Sequence, residues 1–398
     1  MQPLEGIRVA DFSHIMAGPY ATHLLRLLGA EVIKVEAPGR GDAMRNYGAD
    51  RAYDGMAPAF IAVNAGKKSV SLDLKNPPSV EAARRLIARA DVVVENFRPG
   101  VMSRLGLGYP EARALKPNIV YCSVSGYGQS GPLRDWPAID NIVQATSGMM
   151  LLGGDPGDPP MRVGFPVVDT LTGQTAAFAI LAALFRRQRS GEGEYIDVAM
   201  MDASLAFMAS AVVPFLVTGR SLERTGNTGY SGQPTAALFE AADGKLISLG
   251  VVQQAQFEAL ARLVERVEWI EDQRYRTPDL RIANARALTA ALAETLRLRS
   301  AADWEARMSA AGIPCGMVRD VDEAVSLPHL VQRGMKIPLS VPGLPRKENI
   351  EIVNAGFIFQ QGGPDVAEPP PAHGQHTQEI LQWLDFDSHQ QREILRFS

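Results

Sequence analysis

The alternation of short apolar strands with helical segments over about the first 130 residues constrains the fold more than any other feature. Ile7–Phe12 (IRVADF), Glu31–Glu36 (EVIKVE), Ser69–Leu74 (SVSLDL), Val92–Phe97 (VVVENF) and Ile119–Ser125 (IVYCSVS) read as strands. Between them, Pro19 opens a helical pattern that runs to Leu28 and is stopped by Gly29. Pro78–Ala90 forms another, with Ala82, Leu86 and Ile87 near one face. This βαβ rhythm belongs to a parallel, doubly wound sheet. Ligands of such sheets bind beyond the carboxyl ends of the strands, so chemistry is expected in the segments that follow each strand.

At 398 residues the chain is too long for one ordinary core, and two domains are expected. Two apolar helical patterns, about 170–188 and 201–218, flank a strand-like Tyr195–Val198. The segment Ser221–Pro234 is polar and rich in glycine, and reads as a linker or an active-site loop. After it the rhythm changes. Ala236–Ala241 and Leu246–Val252 flank a hairpin signal at Ala242-Asp243-Gly244-Lys245. Helical stretches follow at about 254–265, 281–298 and 301–312, then a short strand Cys315–Arg319. From about 326 the chain is rich in proline and glycine, with no long helix until Thr377–Leu384. The expected division is a large domain over 1–220, a linker over 221–235, a small α+β domain over 236–325 and a C-terminal segment over 326–398.

A net charge of −4 provides no global basic field, so no nucleic-acid partner is expected and an anionic ligand would need a local cluster of cations. Cys122 and Cys315 are the only cysteines and lie far apart in sequence, which argues against a disulfide scaffold and a structural zinc site. No uninterrupted apolar run suggests a membrane span, and the first residues do not resemble a signal peptide. A cytoplasmic enzyme is expected.

Gly126-Tyr127-Gly128-Gln129-Ser130-Gly131 follows a strand and fits a dinucleotide-binding pattern, but Pro132 comes next and no helix start follows. Lys34, Arg40, Lys67, Lys68, Lys75, Arg98 and Arg104 fall near strand ends, where cations could hold phosphates. For any single one of them a solvated surface is the commoner outcome. None of the six histidines has metal-ligand spacing; His373 and His376 read as turn and capping residues. There is no G-x-S-x-G elbow, and neither cysteine has an activating neighbour. Asp169 precedes a long, mostly apolar helical pattern from Leu171 to Phe185. Such a residue is usually a helix N-cap. By elimination it is also the best candidate for a carboxylate nucleophile.

Taken in order, these segments resemble the family III coenzyme A transferases. The resemblance runs from Leu4-Glu5-Gly6-Ile7-Arg8-Val9 through Ala17-Gly18-Pro19, Leu28–Glu36, Gly66-Lys67-Lys68-Ser69, Leu72-Asp73-Leu74-Lys75, Glu95–Gly100 and Ser125–Gly128 to Asp169 and the closing helix after His376-Thr377. It implies a Rossmann-like large domain with a smaller α+β domain, in an interlocked homodimer whose C-terminal segment returns to the large domain. It implies that CoA moves from an acyl-CoA donor to a small carboxylic acid through an aspartyl-CoA thioester on Asp169. CoA and acyl-CoA would enter as substrates, with no permanently bound cofactor and no metal. The family's CoA site carries over onto Met16, Ala17, Arg40, Leu72, Asp73, Lys75, Asn96, Phe97, Arg98, Arg104 and Asp140. The nucleophile must be ionised, which a helix N-terminus favours. Succinyl-CoA as donor and a short dicarboxylate as acceptor are the substrates the family most often implies.

Two departures bear on subclass. Leu249-Gly250-Val251-Val252-Gln253-Gln254 holds one glycine where formyl-CoA:oxalate transferases carry a run, and Pro137 stands where they have a lysine. The related 2-methylacyl-CoA racemases pair an aspartate with a histidine near position 126, which here is Gly126. A racemase and a non-catalytic CoA-binding protein are the competing expectations.

Overall fold

The computed structural model describes residues 1–48 and 51–396. The chain divides into two compact units. One holds Met1–Met149, Arg162–Arg220 and Pro328–Ser398; the other holds Met150–Met161 and Ser221–Leu327.

In the larger unit six strands form one parallel sheet: β1 (Arg8–Asp11), β2 (Glu31–Glu36), β3 (Lys68–Ser71), β4 (Val92–Glu95), β5 (Val120–Ser125) and β6 (Glu194–Ala199). Their order is β3-β2-β1-β4-β5-β6. Growth proceeds outward from β1 to β3, then restarts at β4 on the other side of β1. That reversal opens a crevice between the loops after β1 and β4, the place where doubly wound sheets bind ligands.

Alternation within the strands creates two cores. Val9, Val32, Val92, Val94, Val120 and Cys122 pack with the helices Ala17–Leu27 and Val167–Ser190. Ala10, Ile33, Val70, Val93 and Tyr121 pack with the helix Pro77–Arg89 and the C-terminal helices Thr377–Trp383 and Ser388–Leu395. The C-terminal segment is tied to β3: Ser71 N–H donates to Thr377 Oγ1 at 3.0 Å and His376 N–H to the Ser69 carbonyl at 2.9 Å. It also contains a hairpin not anticipated from sequence, Lys336–Ser340 with Asn349–Val353. Ile337, Leu339 and Ile352 of this hairpin pack on Leu27 and Ile61.

The sequence expectations differ from the fold in further places. Ser69–Leu74 leaves the sheet at Ser71. The pattern over 201–218 is two helices, Met200–Phe207 and Ala209–Thr218, bent by 79° at Met208. The stretch expected as a linker, 221–235, clusters with the second unit, as does 150–161 from within the expected first domain. Arg224 fastens these two segments by donating to the carbonyls of Met150, Leu151, Asp158 and Pro159, and Gly226 N–H donates to the Gly154 carbonyl. Finally, Val167–Ser190 is long and apolar enough to cross a bilayer by length and composition, although no unbroken apolar run marks it. Half of its most apolar window is buried, with Ala176, Ile180 and Leu184 in the core.

The smaller unit has an antiparallel sheet of β7 (Leu238–Glu240), β8 (Leu246–Leu249) and β9 (Cys315–Met317), in that order. Phe257, Leu260, Leu288, Leu292, Trp304 and Met308 from its helices form the core against Phe239, Ile247 and Leu249. The pattern over 281–298 is interrupted at Asn284, separating Pro278–Ala283 from Ala285–Leu296. Leu249, Gly250 and Val252, from the glycine-poor segment, line a cleft with Gly226–Ser231 in this unit.

Candidate active site

Asp169 lies in the first turn of the helix Val167–Ser190, and Pro166 occupies the N-cap position. It is therefore not the cap. That role falls to Asp140, the first residue of the helix Asp140–Thr146. Asp140 Oδ2 accepts from the backbone N–H of Val168 at 2.7 Å and of Asp169 at 3.1 Å. Its Oδ1 accepts from Gln144 Nε2 at 2.6 Å. A second carboxylate thus occupies the positive end of the Asp169 helix.

The carboxylate of Asp169 itself has no hydrogen-bond or cationic partner among the described residues. Burial, reinforced by the negative charge of Asp140, pushes its pKa up to about 7. The expectation that a helix N-terminus keeps it ionised needs correction for this reason. The N–H groups that would stabilise its charge already serve Asp140, leaving desolvation and like-charge repulsion to dominate.

Close packing fixes where this carboxylate sits. A Cβ on Gly173, one turn along the same helix, would lie 2.5 Å from the Ala17 carbonyl oxygen, so only glycine allows the approach of the helix Ala17–Leu27. Before that helix the loop after β1 turns sharply, with Ile15 at φ +67°, a left-handed conformation that a β-branched residue rarely adopts. Two side chains hold the turn. Asp42 accepts from Ile15 N–H at 3.0 Å and is paired with Lys34 at 2.8 Å. Across the crevice, Asn96 receives the N–H of His14 at 2.9 Å and donates to its carbonyl at 2.8 Å. Asn96 therefore joins the loops after β1 and β4 at the point where the strand order reverses.

A cavity of about 560 Å³ opens over Asp169. Of the residues singled out from sequence, Met16, Ala17, Asn96, Asp140 and Asp169 line it. Leu72, Asp73, Lys75 and Phe97 line a second cavity of about 480 Å³. His14 lines both, its ring packed 5.2 Å from that of Phe97. Burial holds the His14 imidazole below its ordinary pKa, and thus neutral at neutral pH. Arg40 lines a third cavity with Arg45, Tyr53 and His373. Arg98 and Arg104 are exposed and line none of these three.

The seven cations near strand ends separate into two groups. Lys34 is fully buried against Asp42, Lys67 against Asp11, and Lys68 reaches Glu31 and Glu379. These three serve the protein's own carboxylates. Arg40, Lys75, Arg98 and Arg104 are exposed and have no ion pair among the described residues, so they remain available to an anion.

Among the lining residues that the sequence reading did not single out, His14 and Arg162 carry ionisable side chains. His14 directly follows the first strand, where ligands of such sheets gather, which was a usable signal. Arg162 stands in a proline- and glycine-rich loop with no periodicity to place it. The Gly126–Gly131 loop is followed by no helix before Asp140 and is fixed instead by Gln129 N–H donating to Asp197 at 2.8 Å. A Cβ on Gly126 would lie 2.2 Å from the Ala138 Cβ, leaving no room for a larger side chain without backbone movement.

Comparison with known proteins agrees with this architecture. Residues 4–377 match the model of CoA-transferase family III. The chain is 34% identical over 397 residues to the succinyl-CoA:glutarate CoA-transferase of Mus musculus, covering 100% of this chain and 87% of the mouse protein. It is 40% identical over 352 residues to the acetyl-CoA:oxalate CoA-transferase of Acetobacter aceti, covering 87% and 89% of the two chains. A crystal structure of a CaiB/BaiF family protein from Brucella suis superposes with a TM-score of 0.86 at 32% identity, covering 96% of this chain and 100% of that one. With the family's strand-to-helix architecture and these matches spanning nearly its whole length, the chain belongs to CoA-transferase family III.

Proposed function

We propose that this protein moves CoA from an acyl-CoA to a small carboxylic acid through an aspartyl-CoA thioester on Asp169. The observation that carries this reading is the half-buried Asp169 carboxylate, unpaired and facing a cavity at the reversal point of the sheet. In its ionised form Asp169 attacks the thioester carbonyl of the donor, the C–S bond breaks, and a mixed anhydride and CoA thiolate result. The thiolate attacks the aspartyl carbonyl of the anhydride and releases the donor acid. The acceptor carboxylate then attacks the aspartyl thioester, releasing CoA thiolate again. That thiolate attacks the acceptor carbonyl of the second anhydride, forming the new acyl-CoA and freeing Asp169. No net proton, electron or phosphoryl transfer is needed.

The neighbouring cavity lined by Leu72, Lys75, Phe97 and His14 suits the CoA moiety, with its apolar walls and one exposed lysine. Arg40, Arg98 and Arg104 are proposed to meet its phosphates at the rim, and Asp140 to position the nucleophile. Relatives named for glutarate and oxalate support a dicarboxylate as acceptor, with a short acyl-CoA such as succinyl-CoA as donor. We also propose that the protein is a homodimer. Phe178 and Phe185 on the Asp169 helix are exposed, as are Phe215, Leu216 and Val217 on a helix that buries no residue within the chain.

The test is incubation with short acyl-CoAs, a borohydride quench and peptide mass spectrometry. Reduction of a thioester or anhydride at Asp169 is expected to leave a mass loss on its peptide. One observation favours the second reading, an acyl-CoA racemase: His14 shares the cavity with Asp169 and could complete an acid–base pair. Exchange of the substrate α-proton with deuterated solvent, while Asp169 stays unmodified by every donor, would select it.

A further inference from the structure

We propose that Arg162 selects acids that carry a second carboxylate, holding that group while the first reacts at Asp169; this rests on the CoA-transfer reading above. The cavity over Asp169 presents a charge problem to such a substrate. It already contains Asp140 and Asp169, and an incoming diacid adds two more negative groups. Arg162 is the only lysine or arginine lining it among the described residues. It is exposed and makes no hydrogen bond or ion pair there, whereas Arg45 is committed to Glu36, Arg26 to Glu368 and Arg187 to Asp91. A guanidinium suits this task because it meets a carboxylate through two parallel N–H donors and keeps its charge at every working pH.

Its root is tied to the nucleophile. Val163 N–H donates to Gln144 Oε1 at 2.8 Å, Gln144 Nε2 donates to Asp140 Oδ1 at 2.6 Å, and Asp140 Oδ2 accepts from Asp169 N–H at 3.1 Å. One chain of hydrogen bonds therefore connects the backbone beside Arg162 with that of Asp169. Movement of the guanidinium starts from a point fixed relative to the reacting carboxylate. Apolar side chains, among them Met44, Ile139, Phe165 and Met200, make up much of the remaining lining. An alkyl chain with a carboxylate at each end matches that distribution, an anion-accepting group at one place, a nucleophile at another and apolar side chains around them.

The experiment measures kcat/KM for succinate and glutarate against butyrate and valerate in the whole protein, Arg162→Met and Arg162→Lys. Arg162→Met is expected to lose about 10- to 100-fold on the diacids, as for a deleted charge-assisted contact, and to change by less than about threefold on the monoacids. Arg162→Lys should restore part of the diacid rate. Equal losses on both classes, or diacid rates untouched, would overturn the assignment and leave the CoA-transfer reading standing. Transfer to no acid by the unaltered protein would instead defeat that reading. Calorimetric titration of glutarate then decides Arg162 independently: weaker binding to Arg162→Met supports the assignment, and equal or undetectable binding in both proteins overturns it.

Discussion

Two regions of the larger unit bury carboxylates and treat them in opposite ways. Beneath the loops that follow β1 and β2, every buried carboxylate has a cation. Asp11 meets Lys67 at 3.1 Å, Asp42 meets Lys34 at 2.8 Å, and Arg45 forks onto both oxygens of Glu36 at 2.7 Å. Burial by itself would raise Asp11 and Glu36. For Asp11, Lys67 and Lys34 outweigh it and hold the carboxyl below its ordinary range. For Glu36, Arg45 and Lys34 bring it to about 2. Asp169 has no such partner among the described residues, and burial with Asp140 nearby takes it to about 7. The lesson is a difference in charge balance: paired charges shape the turn at Ile15, and the carboxylate of Asp169 is left without a cation, as a nucleophile in the proposed reaction would be.

The most severe way to break this contrast is to delete the unpaired acid. Asp169→Ala is expected to reduce CoA transfer at least about a thousandfold while acyl-CoA still binds, since removal of a covalent nucleophile closes the route. Steady-state transfer rates and equilibrium binding would check it. Asp169→Asn should also stabilise the fold at pH 8, and the effect should vanish only well below pH 3.8. The sign follows from a folded pKa above the ordinary value: well below 3.8 the carboxyl is neutral in both states, between 3.8 and about 7 the unfolded chain ionises while the folded one stays protonated, so stability falls over that interval and is level above it.

On the paired side, Lys34→Met leaves Asp42 and Asp11 buried without that cation. A loss of about 3–5 kcal/mol is expected, as for one partner removed from a buried ion pair, read from denaturant unfolding followed by two probes. The smallest effect sharpens the comparison. With an Asp169 pKa of about 7, wild-type kcat/KM should fall about tenfold between pH 8 and pH 6. Asp140→Asn removes the repelling charge but keeps an oxygen for the helix N–H groups, so its acid limb should move to lower pH and its fall over that interval should be smaller. An unchanged limb would show that the profile belongs to another group.

The sheet was legible in sequence because its strands and helices carry their own periodicity. Each of the five early strands is near its expected place, and β6 grows from the expected Tyr195–Val198. The hairpin Lys336–Ser340 with Asn349–Val353 was not legible, since it lies in a proline- and glycine-rich stretch and is stabilised by Leu27 and Ile61 from far away in the chain. Asp169 stood out because no other side chain offered a nucleophile. The role of Asp140 as a cap for that helix was hidden by a sequence separation of 28 from Val168 and by a helix too short to announce itself.

The sequence alone therefore determined the parallel sheet, the smaller α+β unit and the family, and it nominated Asp169 as the candidate carboxylate. These are matters of local pattern and ordered motif. Only the tertiary structure decided which charges are neutralised and which are left bare. Lys34 and Lys67 looked as free as Lys75 until the fold placed Asp42 and Asp11 against them, and Arg162 looked incidental until its loop was brought beside Asp169. Ionisation depends on burial and on neighbours within a few ångströms, and those neighbours come from segments that sequence proximity does not join.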